Sequence, residues 1–164
     1  MSTLHEIPST LRHFLDKSEA AYEVIKHPRD YFAQATAENT HTRGSRFAKC
    51  VMVWADNYYA MVVLRADRRL DLRLLRRAMG AKDVGLVREE EMDRLFPDCE
   101  VGAEPPMGKL YDLPMFVDEE LAAAEIITFN AGTHEDAIRM LYGDFARVTE
   151  PVVVRCAMEE GSGE

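Results

Sequence analysis

Apolar and polar positions along this chain follow short runs whose period keeps changing. Leu11, Phe14 and Leu15 share one face of a helix predicted over Thr10–Ser18. Tyr22-Glu23-Val24-Ile25-Lys26 reads as a strand that ends at His27-Pro28. A helix is expected over Tyr31–Thr40, followed by a polar loop from His41 to Arg46. Phe47–Ala55 and Tyr58–Leu64 are β-branched and aromatic runs separated only by Asp56-Asn57. Both of those residues tolerate positive φ, so a tight antiparallel hairpin is predicted. Asp71 can cap a helix to Met79, with Leu74, Leu75 and Ala78 inward and Gly80 just past its end. A short strand at 84–87 and a helix from Arg88 to Phe96, stopped by Pro97, come next. Then follow a strand at Met115–Val117, a helical turn at Glu119–Ala123, a strand at Glu125–Phe129, a turn at Asn130–His134, a strand over 135–141 and a helix at Tyr142–Val148.

This interleaving predicts an α+β fold with one mixed sheet covered by helices. A single domain is expected over residues 1–156, its first eight residues loosely ordered. Residues 157–164 are acidic and rich in Gly and Ser, and are expected to be a disordered tail.

With 164 residues, 47% of them hydrophobic, the chain can bury a sizeable core. A formal net charge of −9 argues against a protein that grips a long phosphate backbone, so DNA is not an expected partner. The end of a nucleic acid is still compatible with it. No apolar stretch approaches a membrane span, and the N-terminus has neither a basic start nor an apolar run, so no membrane partner and no signal peptide are expected. Cys50, Cys99 and Cys156 are far apart and odd in number, which suits reduced thiols in a cytoplasmic protein. His27, His41 and His134 are scattered without metal-ligand spacing, and neither a metal nor a cofactor is expected.

One residue breaks the apolar pattern. Lys49 lies within Phe47–Trp54, and strand alternation places it on the face of Val51 and Val53. An ammonium there is either near enough to the strand start to snorkel into solvent or held for chemistry. Two glycine loops also admit two readings. Val101 to Pro114 holds Gly102, Gly108 and three prolines, and forms either an ordinary turn or a backbone wall that a ligand can approach closely. The turn Asn130-Ala131-Gly132-Thr133-His134 is open to the same alternatives.

Together these pieces resemble the YbaK/prolyl-tRNA synthetase editing-domain family of aminoacyl-tRNA deacylases. The resemblance runs from about Tyr22 to about Val148. It is carried by the strand end at His27, by Arg46-Phe47-Ala48-Lys49, by Leu70-Asp71 and its helix, by Gly102-Ala103-Glu104-Pro105-Pro106 and by Phe129-Asn130-Ala131-Gly132-Thr133-His134. It implies a sheet curled around an amino-acid pocket, with Lys49 as the catalytic side chain. It also implies substrate contacts from His27, Gly102, Pro106, Gly108, Asn130, Gly132, Thr133 and His134. The implied activity is hydrolysis of the ester of a mischarged aminoacyl-tRNA by a trans-acting deacylase. The implied partners are the acceptor end of the tRNA and an aminoacyl-tRNA synthetase. Cys50 departs from the Thr or Ser common after the family lysine, and alternation turns it away from the Lys49 face. A non-catalytic module holding an amino-acid-like ligand or a tRNA 3′ end is the alternative. A scaffold that dimerises through a strand edge is a third.

Overall fold

A computed structural model describes residues 7–29 and 46–159 of the chain. The helix expected over Tyr31–Thr40 and most of the loop after it lie outside the described residues. The fold is α+β, as the pattern implied.

The centre of the sheet is the hairpin β2 (Phe47–Ala55) and β3 (Tyr58–Arg65), paired antiparallel from Ala48↔Arg65 to Ala55↔Tyr58. Asp56 turns the chain with φ 52°, and its carboxylate accepts the backbone N–H groups of Lys82 and Asp83. Beyond β3 lie β6 (Met115–Asp118) and β9 (Val152–Val154), both parallel to their neighbours. On the other side, β7 (Ile126–Asn130) runs parallel to β2 through Phe47↔Thr128 and Ala48↔Phe129. It is followed outward by the antiparallel strands β8 (Asp136–Leu141) and β1 (Tyr22–Lys26). A short strand, β5 (Val84–Leu86), pairs with Val53–Ala55 of β2. The sheet is therefore mixed.

Strand alternation produces two apolar layers. Ala48 and Met52 join the larger cluster, with Leu11, Leu15, Met61, Val63, Phe96, Phe129 and Phe145. Val53 joins the smaller one, with Ala60, Val62, Leu75 and Cys156, and Val51 packs against it. Helix α1 (Ser9–Lys17) buries Leu11 and Leu15 in the first layer. Helix α2 (Leu72–Met79) covers the second. Its Asp71 cap accepts the N–H groups of Arg73 and Leu74, and Gly80 stands at its C-cap. Ala78 was expected inward but is exposed, because the face that meets the sheet is Leu72, Leu75 and Met79.

Helices α3 (Glu89–Leu95), α4 (Glu119–Ala122) and α5 (Tyr142–Thr149) and a 3₁₀ turn at Gly108–Tyr111 are the other helical elements among the described residues. The C-terminal end differs from the expectation of a disordered tail from residue 157. Ala157–Glu159 form β10, paired antiparallel with β4 (Arg68–Leu70). Asp118, 1% exposed, secures this end: Oδ1 accepts the N–H groups of Cys156 and Ala157 at 2.8 and 3.0 Å, and Oδ2 that of Glu120. Among the described residues no helix is long and apolar enough to cross a membrane.

Candidate functional site

The sheet forks at β2. On the edge opposite β3, β7 pairs only with Phe47 and Ala48, and β5 only with Val53 to Ala55. Between them Lys49, Cys50 and Val51 have no neighbouring strand on that edge among the described residues. One residue past the last parallel pair are Lys49 on β2 and Asn130 on β7, so the two strands part at these positions. Lys49 is half-buried, on the face that continues into Val51 and Val53. Asn130 is also half-buried, and its Oδ1 is buried with no hydrogen-bond partner among the described residues. Such an acceptor is costly to leave unmade and is a ready contact for a ligand donor.

Cys50 points the other way, into the larger layer, as alternation predicted. Burial pushes its thiol well above the ordinary range, and the nearby Glu104 and Cys99 add to the effect. Burial likewise pushes Cys99 up to about 12. Both are therefore thiols near neutral pH, not thiolate nucleophiles.

The two glycine loops are stitched to each other. The Gly132 N–H donates to the Ala103 carbonyl at 2.8 Å, and the Glu100 N–H donates back to the Gly132 carbonyl at 2.8 Å. Glu100 Oε1 accepts the His134 N–H at 2.7 Å, and His134 Nε2–H donates to the Val101 carbonyl at 2.7 Å. Gly102 has φ +91°, and a Cβ there would lie 3.3 Å from the His134 ring. Gly132 has φ +96°, and a Cβ there would lie 2.5 Å from Pro8 Cδ. These are left-handed positions packed against a neighbour, so both loops need glycine. Their amides are already engaged, since the Gly102 N–H donates to Glu104 Oε2 at 2.9 Å. The Gly132 N–H is used between the loops and the Gly102 N–H within its own loop, so the backbone wall expected here does not offer these two donors to a ligand carbonyl.

Other residues fall into supporting positions. Thr133 Oγ1–H donates to Asp136 Oδ2 at 2.6 Å and accepts the Glu135 N–H, while Lys26 pairs with Asp136 Oδ1 at 2.9 Å. The His27 N–H donates to the Glu135 carbonyl, and its Nδ1–H to the Pro28 carbonyl. Arg29 bridges Glu100 and Glu135 at 2.8 and 3.4 Å. Burial works to raise the Glu100 carboxyl, but its bonds from Arg29 and the His134 N–H hold it below its ordinary range. Pro106 is buried. Gly108 opens the 3₁₀ turn, where a Cβ would meet the Leu113 carbonyl at 2.5 Å; its glycine is accounted for by that packing.

Sequence reasoning missed one residue. Glu104 is 4% exposed, and burial raises its carboxyl above the ordinary range against the lowering effect of the Gly102 N–H. It sits inside Gly102–Pro106, and a charged residue between glycine and proline in an apolar loop was the available signal. Among the described residues no three His, Cys, Asp or Glu side chains gather as a metal site.

The forked sheet, the half-buried lysine at the fork and the paired glycine loops are the candidate site of this α+β domain. Residues 27–148 match the sequence profile of the aminoacyl-tRNA editing domain, and the chain belongs to that family. A proline–tRNA ligase of Bacillus cereus (strain AH187) is 25% identical over 121 residues, which are 74% of this chain and 21% of the ligase. The chain thus spans about a fifth of the length of that relative. Among solved structures, a proposed trans-editing enzyme for prolyl tRNA synthetase superposes with a TM-score of 0.79 at 20% identity, covering 95% of this chain and 100% of that one. Hypothetical protein APE2540 superposes with a TM-score of 0.82 at 17% identity, covering 91% and 99%. These two likenesses establish the fold.

Proposed function

We propose that this protein is a trans-acting deacylase that hydrolyses the ester between a mischarged amino acid and the 3′-terminal adenosine of a tRNA. The observation that carries the reading is the fork beside β2, where Lys49 and Asn130 each lie one residue past the last paired positions of β2 and β7, at the start of the Gly132 turn. Family membership supplies the substrate class. In the reaction, water adds to the ester carbonyl carbon, the carbon–oxygen bond to the ribose breaks, and the ribose oxygen leaves as a hydroxyl. Lys49 is assigned to the ester carbonyl or the terminal phosphate, since an ammonium repels the substrate's own α-ammonium. Asn130 Oδ1 is assigned to a donor on the substrate, either its ammonium or a ribose hydroxyl. No cysteine is assigned an attack, because Cys50 faces away from Lys49 and burial keeps the Cys50 and Cys99 thiols protonated. His27, Thr133 and His134 hold the loops in place; Gly102, Pro106 and Gly132 form the wall. The relatives that carry this domain are proline–tRNA ligases, so tRNA charged by that synthetase is the first substrate to try, and the synthetase itself the first partner.

The test is Lys49→Ala assayed on a panel of mischarged tRNAs. The expected loss is about 10²–10³ in rate, the scale of removing one charge-stabilising group. Undiminished release by a folded variant overturns the assignment. The engagement of the Gly102 and Gly132 amides favours a second reading, a module that binds the aminoacyl end without turnover. Tight binding of an aminoacyl-adenosine analogue by a wild-type protein that releases no amino acid selects it.

A further inference from the structure

The arginines of this chain are concentrated. Six of the fifteen fall between Arg65 and Arg77. From Arg65 to Lys82, seven cationic side chains stand against two carboxylates, in a chain whose formal net charge is −9. The fold divides these cations. Arg65 binds Asp67 in a two-point contact at 2.8 and 2.7 Å, and Arg68 reaches Glu120 at 3.1 Å. Those two are committed within the molecule.

Helix α2 carries a second group with a different character. Arg73, Arg76 and Arg77 are all exposed, and their i, i+3, i+4 spacing makes one stripe beside the apolar face of Leu72, Leu75 and Met79. Arg73 is 83% exposed, and its nearest carboxylate, Asp71 at 3.7 Å, is already capping the helix. Among the described residues no carboxylate pairs with Arg76, Arg77 or Lys82. Helix stability does not account for the stripe. The helix dipole favours cations in the last turn, where Arg76 and Arg77 lie, but disfavours one in the first, where Arg73 lies.

The position of the stripe relative to the fork is informative. Helix α2 packs on the layer that contains Val51 and Val53, the residues that follow Lys49 along one face of β2. At about 3.3 Å of rise per residue, Val51 and Val53 lie roughly 7 and 13 Å along the strand from Lys49. Helix α2 therefore covers the part of this face next to the fork, within reach of a polyanion whose end enters there. A protein with a strongly negative total charge repels RNA at long range, so attraction has to come from a local cluster of this kind. Guanidinium groups suit phosphate oxygens, which they bind in a two-point geometry.

We infer that the Arg73–Arg76–Arg77 stripe of α2 is a docking surface for RNA phosphates, those of a tRNA acceptor stem adjoining its 3′ end. The inference rests on the deacylase reading for the identity of the RNA, and its test reads binding separately from turnover. The full chain is compared with R73Q/R76Q/R77Q and R73K/R76K/R77K. Three quantities are measured: affinity for uncharged tRNA across a salt series, deacylation of mischarged tRNA, and hydrolysis of a 3′-aminoacyl-adenosine. The Gln variant is expected to bind tRNA at least about 10-fold more weakly, with a log–log salt slope shallower by about 2–3. Its hydrolysis of the small ester should be unchanged, and the Lys variant should recover most of the tRNA affinity. Unchanged tRNA affinity and salt slope in the Gln variant overturn the inference, as does an equal loss on the small ester. If the wild type hydrolyses neither ester while the Gln variant still loses tRNA, the docking surface stands and the deacylase reading falls.

Discussion

Glu104 is the side chain whose burial has the most direct measurable effect. A carboxyl whose pKa is raised on folding supports the fold while it is protonated. That contribution is complete below the ordinary glutamate range and is lost as pH rises through the higher folded value. Above that value an ionised carboxylate stays buried beside Cys50 and Cys99. Glu104→Gln keeps an acceptor for the Gly102 N–H and removes the charge. Its Tm should match that of wild type near pH 4 and exceed it increasingly toward about pH 8. Melts that show no pH-dependent gap would mean that water reaches the carboxylate. Lys49 was legible in the sequence because a cation interrupts an apolar run. Glu104 and Asn130 were less so, because their surroundings depend on where β2 and β7 stop pairing, and no local pattern encodes that.

At the level of elements, the hairpin β2–β3 and helix α2 were readable, since each carries strong local signals: two turn residues in one case, a cap and a closing glycine in the other. β4, β9 and β10 were not resolved as strands. Runs of three residues seldom display a period, β5 being the one that was read, and the end at β10 also depends on a distant carboxylate. That carboxylate is Asp118, which holds three backbone N–H groups, from Glu120 of α4, from Cys156 before β10 and from Ala157 at its start. Asp118→Ala leaves those donors without it, two of them at the start of the C-terminal segment. A loss of about 1–3 kcal/mol is expected, the cost of a buried donor left unmade at the Cys156 N–H, since the other two are partly open to water. Denaturant melts measure it, and proteolysis should release the C-terminal segment first. A loss below about 1 kcal/mol would show that the strand pairing holds this end unaided.

On the scale of the whole molecule, the mixed topology was legible as a class but its order was not. Alternating short strands and helices imply such a sheet, yet nothing local states that β1 lies beside β8. The cleft inherits that arrangement, because the Gly132 turn sits between β7 and β8 and is braced by Pro8 and His27 from the N-terminal end. Tyr22 is opposite Met140 and Lys26 opposite Asp136, so one edge of the sheet joins the two ends of the domain. Contacts so distant in sequence form late and slow the search for the native state. During synthesis on the ribosome, the opening strand has to wait for nearly all of the chain to emerge before it finds its place. Nascent chains arrested before β8 clears the exit tunnel should therefore remain sensitive to protease within Tyr22–Lys26, and those arrested after it should not.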